Sequence, residues 1–359
     1  MPRCRPAPGD AMIGSRQPGI GAALGAALLF GAGTPLAKAL LAEVGPWMLA
    51  ALLYLGSGIG LSLLRVLRRA PSARLPKDDW PWLAGAVLAG GVAGPVLLMV
   101  GLVGMPAAGA SLLLNAEAVF TALLAWIVFR ENVDRRILLG MAAIVLGAVV
   151  LSWPGAQARL GDVWPALAVL AACLAWGIDN NLTRRVSLAD AGWIAAVKGL
   201  AAGSVNLVLA LALGASWPAW PQVGAAALLG FLAYGVSLVL FVVALRHLGT
   251  ARTGAYFSVA PFFGALLAVA GFGEPASWRL GLAGALMALG VWLHLSERHH
   301  HRHHHEALEH EHPHRHDDGH HDHTHAGLAP GTVHSHRHRH EPMTHAHSHF
   351  PDAHHRHSH

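Results

Sequence analysis

Ten apolar runs, each long enough to cross a lipid bilayer as a helix, constrain this chain more than any other feature of its sequence. A helix crosses the hydrocarbon core with about 20 residues. Charged residues make up only 13% of the 359 residues, about half the share of about 25% that is usual in soluble domains. The sequence therefore predicts an all-α integral membrane protein. The predicted transmembrane helices span residues 19–41, 47–66, 80–104, 107–129, 136–153, 163–183, 190–213, 222–245, 251–272 and 279–296.

Lysine and arginine are concentrated in every second loop between these runs. The loops at 42–46 and 214–221 contain neither residue. Because cytoplasmic loops are enriched in lysine and arginine, the basic loops and both termini are predicted to face the cytoplasm, with the protein in the inner or plasma membrane. This placement accounts for the net charge of +5, so no nucleic-acid partner is expected. The basic residues of these loops are Arg65, Arg68, Arg69, Arg74, Lys77, Arg130, Arg135, Arg136, Arg184, Arg185, Arg246 and Arg252.

The two halves of the apolar region resemble each other at an offset of 143 residues. Each half contains five predicted helices, and an odd number requires the second half to cross the membrane in the opposite direction. Inverted repeats of this kind build transporters, with a substrate site near the midplane and alternating access. We therefore divide the chain into an N-terminal cytoplasmic segment (1–18), two five-helix repeats (19–153 and 163–296) and a cytoplasmic histidine-rich tail (297–359). The aligned pairs include Glu131 with Glu274, Phe120 with Phe263, Arg136 with Arg279 and Gly147 with Gly290.

Four stretches within residues 19–297 are similar to a known family. They are LLFGAGTPLAK (28–38), ASLLLNAEAVFTALLAWIVFRE (110–131), AWGIDNNLTRRVS (175–187) and GTARTGAYFSVAPFFGALLAVAGFGEP (249–275). On these stretches the chain resembles the drug/metabolite transporter superfamily, specifically proteins with two EamA-like domains. The resemblance implies ten helices in an inverted repeat, a central cavity, and export of small metabolites or drugs, often coupled to protons. One departure is visible, since Tyr54 stands where many family members carry arginine.

Polar residues inside the predicted helices are the candidates for a transport site, because an ionisable side chain in the bilayer is costly unless it is paired or hydrated. Glu117 lies near the middle of the fourth helix, two residues after Asn115. A carboxylate that carries a proton at this depth suits a proton-coupled cycle, and a structural carboxylate bonded to a neighbouring helix is the alternative. Asp179 and Asn180 in the sixth helix either line a cavity or mark the cytoplasmic end of that helix.

The ninth helix contributes three further candidates. Tyr256, Ser258 and Pro261 match the region of the fourth helix that holds Asn115 and Glu117. Proline inside a membrane helix frees a backbone carbonyl, and such breaks line binding sites in transporters. A packed kink is the alternative interpretation of Pro261.

Five charged residues are assigned to structure or gating. Lys38 and Arg184 occupy matching positions in the two repeats and are expected to extend to the membrane interface. Lys198 either does the same or is the counter-ion of a carboxylate. Glu131 and Glu274 end the fourth and ninth helices near Arg130 and Arg279, which favours helix-end or gate salt bridges.

The tail lacks hydrophobic periodicity and contains all of the 27 histidines except His247 and His294. We predict that it is disordered, without a packed core. Its His-x-His steps place imidazoles on one side of an extended strand, and neutral imidazole binds copper, nickel, zinc and cobalt. The stretch HEALEH (305–310) is not a zinc-protease motif, which needs two histidines four residues apart on a helix. The candidate metal ligands are His299, His300, His301, His303, His304, His305, His334, His336, His338 and His340.

These patterns predict a transporter rather than an enzyme. The first hypothesis is a proton-coupled exporter of a small organic metabolite or drug that works by alternating access. A divalent-metal exporter fed by the histidine tail and a membrane protein that only buffers or senses metal are the alternatives. The predicted partners are a small-molecule substrate, the lipid bilayer and divalent metal ions at the tail, with the chain as a monomer or homodimer. No cofactor is required.

Overall fold

The computed structural model describes residues 18–70, 75–129, 135–153, 163–186, 190–295, 299–305, 308–314, 334–340 and 343–349. They comprise a helical unit within Met1–Glu297 and the tail within Arg298–His359. The helices of the first repeat are α1 (Pro18–Leu40), α2 (Pro46–Leu67), α3 (Trp80–Ala86), α4 (Gly94–Gly104), α5 (Ala107–Leu113), α6 (Ala116–Phe129) and α7 (Arg135–Ser152). Those of the second repeat are α8 (Trp164–Val186), α9 (Ala191–Ala212), α10 (Trp220–Gly230), α11 (Ser237–Phe257), α12 (Ala260–Phe272) and α13 (Trp278–Leu295).

Nine helical stretches among the described residues are long and apolar enough to cross a membrane, and α12 is a shorter apolar helix. Together they account for the ten predicted spans. The chain leaves the helix at Ser258 and Val259, and the 13 residues of α12 that follow extend about 20 Å. Tryptophans at the helix ends are exposed, as in the aromatic belts of membrane interfaces. They include Trp153, Trp164, Trp217, Trp220 and Trp278.

The two repeats share internal irregularities at offsets of 143 to 144 residues. A π-helical segment at Val87–Ala93 joins α3 to α4, and another at Phe231–Val236 joins α10 to α11. Likewise, the helix is interrupted at residues 114–115 and again at 258–259. Matching irregularities show that the repeat is one of backbone structure as well as of sequence.

The repeats differ at the boundary between their third and fourth spans. In the first repeat α4 ends at Gly104, and Pro106 begins α5 with an extended backbone (φ −60°, ψ 143°). The second repeat has Gly249 at the position of Pro106. There α11 continues through residues 246–250, where the hydropathy pattern predicts a loop. Proline ends the helix because its ring clashes with the preceding turn, whereas glycine is tolerated.

Helices pack across the repeats in exchanged pairs. The second helices of the repeats, α2 and α9, pack together, as do the fifth helices, α7 and α13. The first helices follow the same rule, since α1 packs on α11 and α12 while α8 packs on α4 and α6. A Cβ added to Gly199 would lie 2.7 Å from the backbone nitrogen of Gly58. Small residues thus allow the close approach that membrane helices require.

The described part of the tail consists of four strands in two separate pairs. They are β1 (His299–His305), β2 (Leu308–His314), β3 (His334–His340) and β4 (Met343–His349), with β1 antiparallel to β4 and β2 antiparallel to β3. The alternation of histidine with other residues has the period of two that a strand requires. Because an isolated two-stranded sheet is only marginally stable in water, these pairs do not amount to a packed domain.

Candidate transport site

A break in the fourth span places Glu117 at the start of a helix. α5 ends at Leu113 and α6 begins at Ala116. Between them the buried side-chain amide of Asn115 donates a hydrogen bond to the carbonyl of Leu112 at 2.9 Å. Such local bonds from asparagine offer the chain an alternative to the helical ladder. Glu117 therefore lies in the first turn of α6, where the helix dipole favours a carboxylate.

Asn180 links Glu117 to the neighbouring helix α8. Its side-chain nitrogen donates to Oε1 of Glu117 at 2.8 Å and to Oγ1 of Thr121 at 3.2 Å. Glu117 is half-buried and Asn180 is exposed, so this contact is accessible from outside the packed core. A neutral amide is the only donor that the structure describes to the Glu117 carboxylate, and the amide leaves its negative charge uncompensated.

The preceding residue of α8, Asp179, forms an ion pair with Lys198 of α9. The ammonium group contacts the two carboxylate oxygens at 2.5 and 2.7 Å, and it donates to Oγ1 of Thr183 at 3.2 Å. Thr183 in turn donates to Oδ1 of Asp179 at 2.8 Å. Asp179 is buried and lies about 10 Å from the end of α8. The structure thus shows the counter-ion arrangement for Lys198, not the interface one.

The π-helical segment Val87–Ala93 makes room for this ion pair. A Cβ added to Gly90 would lie 1.9 Å from Oδ2 of Asp179, so the carboxylate rests directly on the glycine backbone. The carbonyl of Gly90 also accepts hydrogen bonds from the hydroxyl of Tyr54 and from Nε1 of Trp176, both at 2.9 Å. π-Helical turns leave backbone groups available for such contacts and occur frequently at functional sites.

These side chains form one electrostatic unit. Asn180, which donates to Glu117, follows Asp179 directly in the chain, and Asp179 and Tyr54 both meet the backbone of Gly90. Two carboxylates and one ammonium therefore share the site. We refer to the set as the inner polar cluster, and it consists of Glu117, Thr121, Asp179, Asn180, Thr183 and Lys198.

Half-buried aromatic rings from both repeats lie beside the inner polar cluster. The ring centroids of Tyr54 and Tyr234 are 5.7 Å apart, and Phe30 meets Tyr234 edge-on at 5.9 Å. Phe30 also packs on Phe257 at 5.4 Å. This aromatic wall joins α1, α2 and α11 to the π-helical segment Phe231–Val236. Apolar rings around a few polar groups are the usual lining of a small-molecule site.

Glu274 caps a helix that belongs to the other repeat. Its two carboxylate oxygens accept hydrogen bonds from the backbone amides of Ala107 and Ala108, at 2.7 and 2.8 Å, at the start of α5. Gly273 ends α12 in the left-handed conformation (φ +70°), and the amide of Glu274 bonds back to the carbonyl of Ala268. The sequence FGEP thus ends one helix and caps another.

This cap replaces the salt bridge expected between Glu274 and Arg279. The guanidinium of Arg279 instead donates to the carbonyl of Trp153 at 3.0 Å. At the other side of the same turn, the ammonium of Lys38 donates to the carbonyls of Leu102 and Val103 near the end of α4. Negative charge at a helix start and positive charge at a helix end are both stabilising, so the two residues hold the turn between α4 and α5.

The candidates of the ninth span lie in two different environments. Tyr256 is near the end of α11 and packs on Ala22 and Ala23 of α1. Ser258 is at the helix break, equivalent to Asn115. Pro261 lies in the first turn of α12 and not in a helix interior. A missing amide proton has no cost in the first turn. The kink predicted at Pro261 is therefore a helix start.

The structure does not describe the side chains of several predicted site residues. Glu131 lies in residues 130–134, and Arg184 is within α8 with its side chain outside the description. The candidate histidine ligands belong to strands whose backbone alone is described. Among the residues with described side chains, no group of three or more histidine, cysteine, aspartate or glutamate residues could hold a metal ion.

Comparison with known proteins identifies the family. The EamA-like transporter family matches residues 17–153 and 163–296. The chain belongs to this family. As an EamA-like protein it is a multi-pass membrane transporter and not an enzyme.

Two relatives match this chain over most of their own length. A protein of Methanothermobacter thermautotrophicus named as an uncharacterized transporter is 31% identical over 285 residues, which cover 75% of this chain and 83% of that one. A probable terminal-alkyne amino-acid exporter of Streptantibioticus cattleyicolor is 31% identical over 228 residues, or 63% of this chain and 75% of that one.

Two further comparisons are narrower in what they show. A probable amino-acid metabolite efflux pump of Salmonella typhimurium is 34% identical over 83 residues, or 23% of this chain and 28% of that one. One solved crystal structure superposes with a TM-score of 0.60 at 20% identity, covering 78% of this chain and 96% of that chain. That likeness shows the fold alone.

Proposed function

We propose that this chain exports an amino acid or a close amino-acid derivative from the cytoplasm in exchange for protons. The inner polar cluster carries the proposal, because it places two carboxylates and one ammonium beside an aromatic wall inside the helical unit. The names of two relatives, an amino-acid exporter and an amino-acid metabolite efflux pump, support this substrate class. The alternation of basic loops supports an orientation in the inner or plasma membrane with both termini in the cytoplasm.

The charges of the cluster complement those of an amino acid. Without substrate, Asp179 and Lys198 neutralise each other at 2.5 Å. A zwitterion entering between them offers its carboxylate to Lys198 and its ammonium to Asp179 and Glu117. Both ammonium groups then have a carboxylate partner throughout the exchange, which lowers the cost of keeping ions inside a membrane. The aromatic wall next to the cluster accepts the apolar side chain of the substrate.

Glu117 supplies the proposed coupling to protons. Asp179 has a cationic partner, whereas the donor described for Glu117 is the neutral amide of Asn180. In the absence of substrate a proton neutralises Glu117, and the ammonium of the substrate displaces that proton. One carboxylate thus serves the proton and the substrate in turn, which makes the two fluxes opposite in direction.

Flux in proteoliposomes tests the proposal. Purified protein is reconstituted, a pH gradient is imposed, and transport of a panel of radiolabelled amino acids is compared with that of a lipophilic cation. We expect amino-acid flux that the gradient accelerates. Glu117→Gln should abolish this acceleration and retain exchange of labelled for unlabelled substrate, since that exchange needs no proton. Lys198→Met should lose both activities.

Glu43→Gln is the matched control, because Glu43 is an exposed carboxylate that accepts a hydrogen bond from Gln222 far along the chain. This variant should behave as the unaltered protein does. Gradient-driven flux that survives in Glu117→Gln contradicts the role of Glu117. Transport of the lipophilic cation alone contradicts the amino-acid substrate.

A further inference from the structure

The strand pair β2–β3 places histidines directly opposite one another on one face. In the observed register His310 is opposite His338, His312 is opposite His336, and His314 is opposite His334. Residues two apart in a strand lie on the same face of the sheet, so these six form one histidine face. The sequence alone shows the alternation within each strand, and the register adds that the alternating sets coincide.

The strand pair β1–β4 repeats the arrangement independently. His299, His301 and His303 of β1 are opposite His349, His347 and His345 of β4. These six form the histidine face of the second pair. The sequences of the two pairs share little besides this alternation, yet both registers oppose three histidines to three histidines.

The opposite face of β2–β3 carries paired charges. There Glu309 is opposite Arg339 and Glu311 is opposite Arg337. Opposite charges at directly opposed positions stabilise a strand pair by about 0.2–1 kcal/mol. A shift of the register by one residue would place glutamates opposite histidines and separate the charge pairs, so the charges favour the register that aligns the histidines.

We propose that each histidine face binds one divalent transition-metal ion through two adjacent opposed pairs, so that the tail binds two ions. Directly opposed Cβ atoms are about 4.5–5.5 Å apart, and residues two apart in a strand are separated by about 6.6 Å. Two adjacent opposed pairs thus supply four histidines at neighbouring positions, the number that a four-coordinate ion requires. This site goes beyond the proposed function, because it lies in the tail and needs no transport activity.

The chemistry of the ligands defines the class of ion. Imidazole nitrogen favours zinc, copper, nickel and cobalt, whereas magnesium and calcium require oxygen ligands. Because a two-stranded sheet is marginal by itself, the bound ion stabilises the strand pair as a structural metal stabilises a small domain. Imidazole binds metal only when it is neutral, so the ions should dissociate as the pH falls below about 6.5.

Equilibrium dialysis of the full-length detergent-solubilised protein against micromolar zinc tests the site. We expect two zinc ions bound per chain at pH 7.5, loss of both at pH 5.5, and no displacement by a thousandfold excess of magnesium. A variant with His310→Gln, His312→Gln, His336→Gln and His338→Gln should bind one ion fewer. Cobalt bound in place of zinc should show the visible absorption of tetrahedral coordination, and that absorption should fall by half in this variant.

The matched control changes the same number of histidines elsewhere in the tail, with His320→Gln, His321→Gln, His323→Gln and His325→Gln. It should retain both ions. Equal loss of zinc in the two variants would show that the tail chelates through histidine abundance alone, and this result overturns the proposal. Absence of zinc binding in the unaltered protein, or octahedral cobalt, also overturns it.

Discussion

Gly90→Ala changes one hydrogen for a methyl group and should disable the inner polar cluster. The added Cβ would lie 1.9 Å from Oδ2, 2.3 Å from Cγ and 2.5 Å from Cβ of Asp179. No rotation of Asp179 relieves a clash that includes its own Cβ, so the aspartate or the π-helical segment has to move by about 1 Å to restore van der Waals distances. That movement breaks the contacts of 2.5 and 2.7 Å with Lys198.

The magnitude follows from two opposing effects. Overpacking of this kind costs about 1–3 kcal/mol, and the gain from replacing glycine by alanine in a helix is about 0.5–1 kcal/mol. The net cost is at most about 2.5 kcal/mol, and where it falls on the substrate-binding state it weakens binding by up to about 60-fold. The measurements are substrate affinity in proteoliposomes and the melting temperature of the detergent-solubilised protein.

Substitutions at two other glycines serve as controls for Gly90→Ala. Gly224→Ala in α10 introduces a Cβ with no described atom within 4 Å, and Gly94→Ala introduces one at 2.8 Å from Nε1 of Trp176. Gly224→Ala should leave affinity unchanged, and Gly94→Ala should reduce it less than Gly90→Ala does. If Gly90→Ala and Gly224→Ala have the same affinity and melting temperature, the reasoning that places Asp179 on the Gly90 backbone is refuted.

Three other variants probe the contacts that position the site. Glu274→Gln removes the charge that caps α5 and should cost about 0.3–1 kcal/mol of stability, seen as a lower melting temperature that Glu43→Gln does not share. Lys38→Met removes the donor to the last carbonyls of α4 and should cost a similar amount, and an unchanged melting temperature would contradict the contact. Tyr54→Phe should lower the free energy of unfolding by no more than about 0.5–1.5 kcal/mol, because the carbonyl of Gly90 keeps its hydrogen bond from Trp176. A larger loss of substrate affinity than of stability would indicate that the hydroxyl touches substrate.

Hydropathy and charge were sufficient to predict the ten spans and their repeat, because both depend on composition along the chain. They were also sufficient to select Glu117, Asp179 and Lys198, since an ionisable residue in an apolar run is visible without any contact being known. The choice between the two interpretations of Lys198 required the structure. A lysine near a helix end reaches the interface or a carboxylate with equal ease, and only the packing of α8 against α9 decides which.

The aromatic wall and the π-helical segments left no comparable signal in the sequence. Tyr54 and Tyr234 are 180 residues apart in the chain, and an aromatic residue in an apolar run is unremarkable by composition. A π-helical turn needs one additional residue per turn, a change too small to alter hydrophobic periodicity. The adjacent glycines Gly90 and Gly91 were the available hint. Gly90 packs against Asp179 of the site, and Gly91 packs against Ala202 of α9.

The difference between the repeats at Pro106 and Gly249 bears on how the transporter moves. Inverted repeats produce alternating access when the two halves exchange conformations around a fixed site. Proline cannot enter a helix interior without a cost of about 3 kcal/mol, so the turn between α4 and α5 persists in both states, clamped by Lys38 and Glu274. Gly249 permits either a helix or a turn at modest cost. We therefore expect the conformational freedom that alternating access would need at this boundary to lie in the second repeat, within α11, with the first repeat as the rigid counterpart that carries Glu117.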